Sequence, residues 1–240
     1  MDTPDLAHLT TKIFADGADA AGISALARNP MIRGFTTNPT LMRAVGVEDY
    51  EAFAREILEV VPDHPISFEV LSDDFDEMER QALKIAAWGA NVYVKIPISN
   101  CRGKSSVDLL RRLADNGLHL NVTAIMTVAQ VEMALKALQS APHGYISVFA
   151  GRIADTGRYP VPIIRGALDA MAAYPDLELI WASPREVLNL FEADAVGCHV
   201  ITMTHDLLKK LELVGKDLDE FSLDTVKMFF NDAEAARFSL

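Results

Sequence analysis

The chain has 240 residues, half of them hydrophobic, and a formal net charge of −12, which suits one large α/β domain with a sizeable core or two small ones. That much negative charge excludes a general affinity for nucleic acid or anionic membrane, since both need clustered cations, and leaves any bound phosphate to a few local arginines. Cys101 and Cys198 lie far apart and form neither a disulfide framework nor a zinc pattern. With no apolar run of about 18 residues, and no apolar segment in residues 1–11, they predict a protein of a reducing compartment, the cytoplasm.

In chain order, Lys12–Asp16 is a short apolar run that ends in an acid and then Gly17, followed by a helical segment over 19–28. Residues 32–37 form a second such run, after which Pro39 opens a helix with Asn38 as its cap. Tyr50–Val60 spaces Phe53, Ile57 and Val60 or Val61 at helical intervals, and 66–70 is a third strand carrying Glu69. A helix is predicted over 74–88, with Phe75, Met78, Leu83 and Ile85 partly on one side. The fourth strand, 91–97, holds Lys95. Beyond it the pattern predicts a helix over 106–116 closed by Gly117, a strand over 118–123, a helix over 127–139 and a strand over 145–150. A helix over 162–173, a strand over 177–182, a helix over 184–191 and a strand over 198–203 complete the alternation. Residues 217–240 read as one or two extra amphipathic helices, with Phe221, Met228, Phe229, Phe230 and Phe238 offering apolar area to the barrel or a neighbouring subunit.

Eight strands alternating with helices predict parallel pairing through right-handed crossovers and, at this length, a single (β/α)8 TIM barrel over 1–240 with 217–240 as a helical tail. A doubly wound open sheet is the alternative. In a barrel the active site lies at the C-terminal ends of the strands, where this chain places Asp16, Asn38, Glu69, Lys95, Asn121, Thr123, Ser147 and Ser183. One or two polar residues there could be structural hydrogen-bonders; eight at equivalent positions are harder to explain that way. Lys95 sits in an apolar strand bounded by Gly89 and Pro97. It either snorkels out at the strand end or stands in an apolar pocket, where desolvation favours the free, nucleophilic amine of a Schiff-base lysine. An acid, a lysine and a ring of hydroxyls and amides is an inventory for carbonyl chemistry through an imine.

Phe14-Ala15-Asp16-Gly17, Thr36-Thr37-Asn38-Pro39-Thr40-Leu41, Val94-Lys95-Ile96-Pro97, Asn121-Val122-Thr123-Ala124-Ile125, Ser147-Val148-Phe149-Ala150-Gly151-Arg152 and Ala182-Ser183-Pro184-Arg185 resemble, in order, the motifs of the transaldolase family. The resemblance spans about residues 12–205. It implies transfer of a dihydroxyacetone unit between sugar phosphates by an enzyme that needs no metal and no cofactor, with Lys95 as nucleophile and Asp16 as acid/base. By the same resemblance Glu69 and Thr123 hold the water that shuttles protons. Asn38, Asn121 and Ser147 bind the hydroxyls of the three-carbon unit, and Arg152, Ser183 and Arg185 grip the phosphate. A homo-oligomer is expected.

The pattern departs from the family at Val148, where a proline is expected, and the stretch 153–162, with Asp155, Arg158 and Tyr159, could alter the acceptor end. The short chain resembles the subgroup that includes fructose-6-phosphate aldolase, which has a glutamine at the position of Glu69 and a tyrosine at that of Phe149. The glutamate and phenylalanine here favour transfer over simple cleavage. Relatives acting on sulfonated or deoxy sugars make the phosphate an inference from the resemblance. Gly103-Lys104-Ser105 has the tail of a P-loop, but Ile98 stands where its first glycine belongs. His199, His205 and Asp206 have no usual metal-ligand spacing and read as core or surface histidines.

Overall fold

The computed structural model of the chain describes residues 5–237. Its sheet is a closed parallel barrel with strands in sequence order: β1 (Lys12–Asp16), β2 (Ile32–Thr36), β3 (Ile66–Glu69), β4 (Val92–Pro97), β5 (Leu120–Ile125), β6 (Gly144–Val148), β7 (Leu177–Trp181) and β8 (Val200–Thr204), which pairs with β1. The helices between them are α1 (Ala20–Leu26), α2 (Pro39–Ala44), α3 (Tyr50–Val60), α4 (Phe75–Ala86), α5 (Val107–Asp115), α6 (Val128–Ala137), α7 (Ala150–Ala154), α8 (Val161–Met171) and α9 (Leu188–Val196), with α10 (His205–Lys209) and α11 (Leu218–Ala236) after β8. The (β/α)8 barrel with an extra C-terminal helix is the predicted fold, and the open sheet is set aside by the β1–β8 pairing.

Period-two alternation sorts each strand. On β4, Val94 and Ile96 are fully buried against the helical layer, while Tyr93 and Lys95 take the opposite face and point into the barrel. Phe14, Tyr145, Ile180, Ala182 and Val200 pack together inside it, with Tyr93 and Phe149 against them; Phe14 and Tyr145 meet edge-on with ring centroids 5.5 Å apart. This aromatic layer fills the barrel below Lys95. Further toward the N-terminal end, Lys12 pairs with Glu178 at 2.8 Å.

The helices begin where capping chemistry allows. Asn38 Oδ1 accepts from Leu41 N at 3.0 Å and Pro39 follows it as the first helical residue. Thr127 and Gln130 form a reciprocal capping box on α6. On α4 the buried face is Met78, Ala82 and Ile85, whereas Leu83 is 47% exposed; the stripe follows i, i+4, i+7 and leaves Leu83 a quarter-turn away.

Four predicted elements are displaced. β5 starts at Leu120 rather than 118 because Leu118 N closes the end of α5 on Leu113 O at 3.2 Å, beyond the left-handed Gly117. β8 starts at Val200 rather than 198 for the same reason: Cys198 N bonds Ala193 O at 2.9 Å past Gly197. β6 stops at Val148, and Ala150, expected in the strand, opens α7, a helix too short to show a period. The helix expected over 184–191 begins only at Leu188, because Asn189 Oδ1 accepts from Arg185 N at 2.8 Å and Glu186 N at 3.2 Å and holds 184–187 as a turn.

The tail is one helix, α11, capped by Asp217 and with none of its residues buried; Phe238 lies outside the described residues. Among the described residues no helix is long and apolar enough to cross a membrane.

Candidate active site

Lys95 is buried at the C-terminal end of β4. Its Nζ donates to Thr37 O at 3.2 Å and lies 3.2 Å from Glu69 Oε2 on the adjacent strand, where Glu69 and Lys95 are in register. The pocket is therefore lined by a carboxylate and a carbonyl, not by apolar groups alone as one sequence reading had it. Tyr50 on α3 donates its hydroxyl to Glu69 O at 3.0 Å, tying the end of β3 to the helical layer.

Asp16 ends β1 beneath the same mouth. Thr36 Oγ1 donates to its Oδ1 at 2.8 Å, and Asn38 Nδ2 approaches its Oδ2 at 3.5 Å. Asn38 thus caps α2 with its oxygen while its amide faces the acid, so the structural and site readings hold together. Burial raises the pKa of Asp16, partly offset by the charge of Lys95, the hydrogen bond from Thr36 and the nearby His205, with Glu69 adding to the rise. An acid with a raised pKa next to a buried amine is poised to exchange protons.

Asn121, in register with Lys95 on β5, donates to Ser67 Oγ at 2.9 Å and accepts from Ser147 Oγ at 2.8 Å. All three are buried. Each side chain is held in one orientation by its neighbour, which leaves the second amide proton of Asn121 and the lone pairs of Ser147 for a ligand. Thr123, in register with Pro97, is buried, and its Oγ1 has no partner among the described residues. A buried hydroxyl without a partner is costly in a finished core and common where a bound molecule supplies one.

The remaining residues gather at the ends of β6 and β7. Phe149 precedes α7, and the Arg152 guanidinium lies over its ring at 5.5 Å. Ser183 holds a left-handed backbone, φ +60°, a cost usually met only where the surroundings fix it. Gly151 packs so tightly on it that a Cβ would sit 1.6 Å from Ser183 O. Arg152 and Arg185 are exposed, and Arg185 is already engaged: its Nε donates to Asp155 Oδ1 at 3.0 Å and its Nη2 to Oδ2. Asp155, on the stretch expected to alter this end, is held below the usual carboxylate range by Arg185, with Arg152 contributing.

Sequence reasoning missed Ser67, Thr36, Thr202 and Tyr50. The first three were findable by period two: Ser67 lies two residues before Glu69, Thr36 two before Asn38, and Thr202 in β8 shares their inward face. Tyr50 carried no such signal. His199 and His205, read as core or surface groups, are half-buried, and the Nε2 of His205 has no partner among the described residues. His199 Nδ1 accepts from Leu179 N at 2.9 Å, and His205 lies so close to Gly17 that a Cβ there would meet its Nε2 at 2.6 Å. Among the described residues no three His, Cys, Asp or Glu side chains gather to hold a metal ion. Of two cavities of about 170 and 350 Å³, the first is lined by Tyr50, Gln81 and Trp88 and the second by Asp19 of the β1–α1 loop, Val45 and Phe53, and neither includes Lys95 or Asp16.

A buried amine paired with one carboxylate and within electrostatic reach of a second, at the C-terminal mouth of a parallel barrel, places the protein among the (β/α)8-barrel enzymes. Residues 13–240 match the transaldolase/fructose-6-phosphate aldolase family, and the chain belongs to it. The probable transaldolases of Streptococcus pyogenes serotype M5 (strain Manfredo) and serotype M49 (strain NZ131) are each 35% identical over 201 residues, 83% of this chain and 89% of theirs. Among solved structures, that of KGPDC from Streptococcus mutans is similar in fold alone: TM-score 0.56 at 11% identity, over 82% of this chain and 89% of that one.

Proposed function

We propose that the protein is a transaldolase that moves a dihydroxyacetone unit from a ketose phosphate, such as fructose 6-phosphate or sedoheptulose 7-phosphate, to an aldose phosphate through an imine on Lys95. The observation that carries this reading is the buried Nζ of Lys95, 3.2 Å from Glu69 and within electrostatic reach of Asp16. The free amine attacks the C2 carbonyl of the donor, and the C2 oxygen leaves as water, with Glu69 and Thr123 holding the water that passes protons. The carboxylate of Asp16 then takes the C4 hydroxyl proton, the C3–C4 bond breaks, and its electrons remain on the bound unit as an enamine while the shortened aldose departs. The enamine carbon adds to the acceptor aldehyde, Asp16 returns the proton to the new hydroxyl, and hydrolysis frees Lys95. Asn38, Asn121 and Ser147 hold the hydroxyls of the three-carbon unit, and Phe149, Arg152, Ser183 and Arg185 form the phosphate end.

Borohydride trapping tests the chemistry. Incubation with fructose 6-phosphate, reduction, digestion and mass spectrometry should find a three-carbon adduct on Lys95. An adduct only with another ketose moves the substrate and keeps the class, whereas none with any ketose sinks the imine. Product formation with and without an aldose acceptor separates transfer from release of free dihydroxyacetone, the alternative activity.

The rest of the reading follows from the whole chain. It works as one barrel domain with α11 appended, in the cytoplasm, in the sugar-phosphate exchanges of the pentose phosphate pathway. The exposed Phe221, Val226, Phe229 and Phe230 of α11 are a surface for a second copy of the chain. Sedimentation velocity should show a homo-oligomer that the double change Phe229→Glu, Phe230→Glu dissociates; a monomeric parent chain would refute it.

A further inference from the structure

We propose that Thr202 and Thr36 form a two-hydroxyl chain that holds the Asp16 carboxylate in place and stabilises its ionised form, which makes both threonines positioning residues for the acid/base. The inference rests on the reading of Asp16 given above, and its first consequence is independent of turnover. The three side chains come from β8, β2 and β1. Thr36 Oγ1 lies 2.6 Å from Thr202 Oγ1 and 2.8 Å from Asp16 Oδ1. Both threonines are buried, at 6% and 3% exposure for Thr202 and Thr36, so water cannot substitute freely for either partner.

Each hydroxyl has one proton to give. An ionised carboxylate only accepts, so with Asp16 charged the single proton of Thr36 goes to Oδ1 and Thr202 must donate to Thr36. In that direction both protons are used. A proton on Oδ2 keeps the direction but leaves Thr36 donating to a neutral oxygen, a weaker bond than one to the anion, and sets a second donor against the Asn38 amide. With a proton on Oδ1 the chain reverses: Asp16 donates to Thr36, Thr36 to Thr202, and the proton of Thr202 is left over. Among the described residues the Thr202 hydroxyl has no partner other than Thr36. A buried donor without an acceptor is costly, so the two directions are unequal and the chain favours the anion, against the burial that disfavours it. The other groups facing Asp16 are Lys95 from β4, Glu69 from β3 and His205 from α10. Of these Lys95 and His205 favour the anion and Glu69 opposes it, so the hydroxyl chain adds to a balance already set by charge.

Thr202 touches Asp16 only through Thr36, and this gives the proposal its signature. In chain labelled with carbon-13 at the aspartate carboxyl, the Asp16 resonance is the one missing from Asp16→Asn. Its titration midpoint should rise in Thr36→Val, rise less in Thr202→Val, and rise no further in the double variant than in Thr36→Val. Thr36→Ser should titrate as the parent does. In the transfer assay with fructose 6-phosphate, kcat on the acidic side of the profile should fall roughly tenfold in Thr36→Val, the scale of one hydrogen bond to a charged group, with KM unchanged within about twofold. A midpoint that stays put or falls in Thr36→Val, or two changes that add in the double variant, overturns the chain. If Thr36→Val fails to fold, a midpoint unmoved in Thr202→Val does the same. A resonance that moves as described in a protein with no transfer activity leaves the chain standing and refutes the functional reading instead.

Discussion

On the proposed mechanism Lys95→Met is expected to abolish turnover, by at least about 10⁴-fold in kcat, because among the described residues Lys95 is the amine buried at the strand ends of the mouth. The charge arithmetic separates this loss from unfolding. Methionine fills most of the volume of the lysine stem on the inward face of β4, and Val94 and Ile96, on the opposite face, keep their packing on the helical layer. What is lost is the cation 3.2 Å from Glu69 and the strongest of the influences that lower the pKa of Asp16. Removing one partner of a buried pair costs about 3–5 kcal/mol when the other stays ionised. Here Glu69 keeps 18% of its side chain exposed, so water can still solvate it, and Asp16, whose pKa burial already raises and which loses the opposing charge of Lys95, can take a proton. The variant should therefore fold, remain soluble, and show no adduct on borohydride treatment with any ketose. If it retained transfer, or if the parent were trapped on another lysine, the assignment of the nucleophile would fall.

The barrel was legible because two independent periodicities agreed. Inward-facing polar residues recurred at strand ends, and apolar stripes recurred at helical spacing between them. Errors fell where a backbone group was committed to a cap. Leu118 and Cys198 are apolar and read as strand, but their amides close α5 and α9, and sequence hydrophobicity carries no record of where an amide bonds. The short α7 and the turn over 184–187 were misread because Ser183 has a left-handed backbone and Asn189 takes two amides, features of three dimensions that no window of neighbours displays.

At the site, the chemical identity of the residues was plain and their coupling was not. Lys95 and Asp16 stand out as charges in apolar strands. Asn121 and Ser147 were read as ligand groups, and they are also each other's hydrogen-bond partners, so one side chain now has two duties that sequence cannot apportion. Arg152 and Arg185 look alike on paper. In the fold one lies over Phe149 and the other is held by Asp155, a difference set by which residues α7 and the β7–α9 turn bring together.

The tightest of those meetings gives the second large effect. Gly151→Ala should raise KM for phosphorylated ketoses at least tenfold while leaving imine formation on Lys95 with unphosphorylated dihydroxyacetone nearly intact. The added Cβ would lie 1.6 Å from Ser183 O and 2.8 Å from Ser183 C, so backbone must move, since both of these clashes are with main-chain atoms. Ser183 cannot yield cheaply, because its φ of +60° already occupies the small left-handed region. The first turn of α7 is therefore forced off the end of β7. Gly151 N bonds Ala182 O at 3.4 Å, and that link goes with the displacement. Arg152 is carried on the same turn, and Arg185 Nε lies 3.3 Å from the new methyl, so both guanidinium groups leave the positions that the proposed phosphate end requires. Overpacking of this kind costs about 1–3 kcal/mol, or a fall of several degrees in Tm for a chain of this size, small enough for the protein to stay folded at 25 °C. Lys95 on β4 is two strands from β6 and Asp16 on β1 is three, and the links between them, the sheet and the Ser147–Asn121–Ser67 hydrogen bonds, are all buried and firmly held. A variant that lost trapping with dihydroxyacetone as completely as binding of fructose 6-phosphate would show that the two ends of the site are one rigid unit and would refute the division of labour drawn between them.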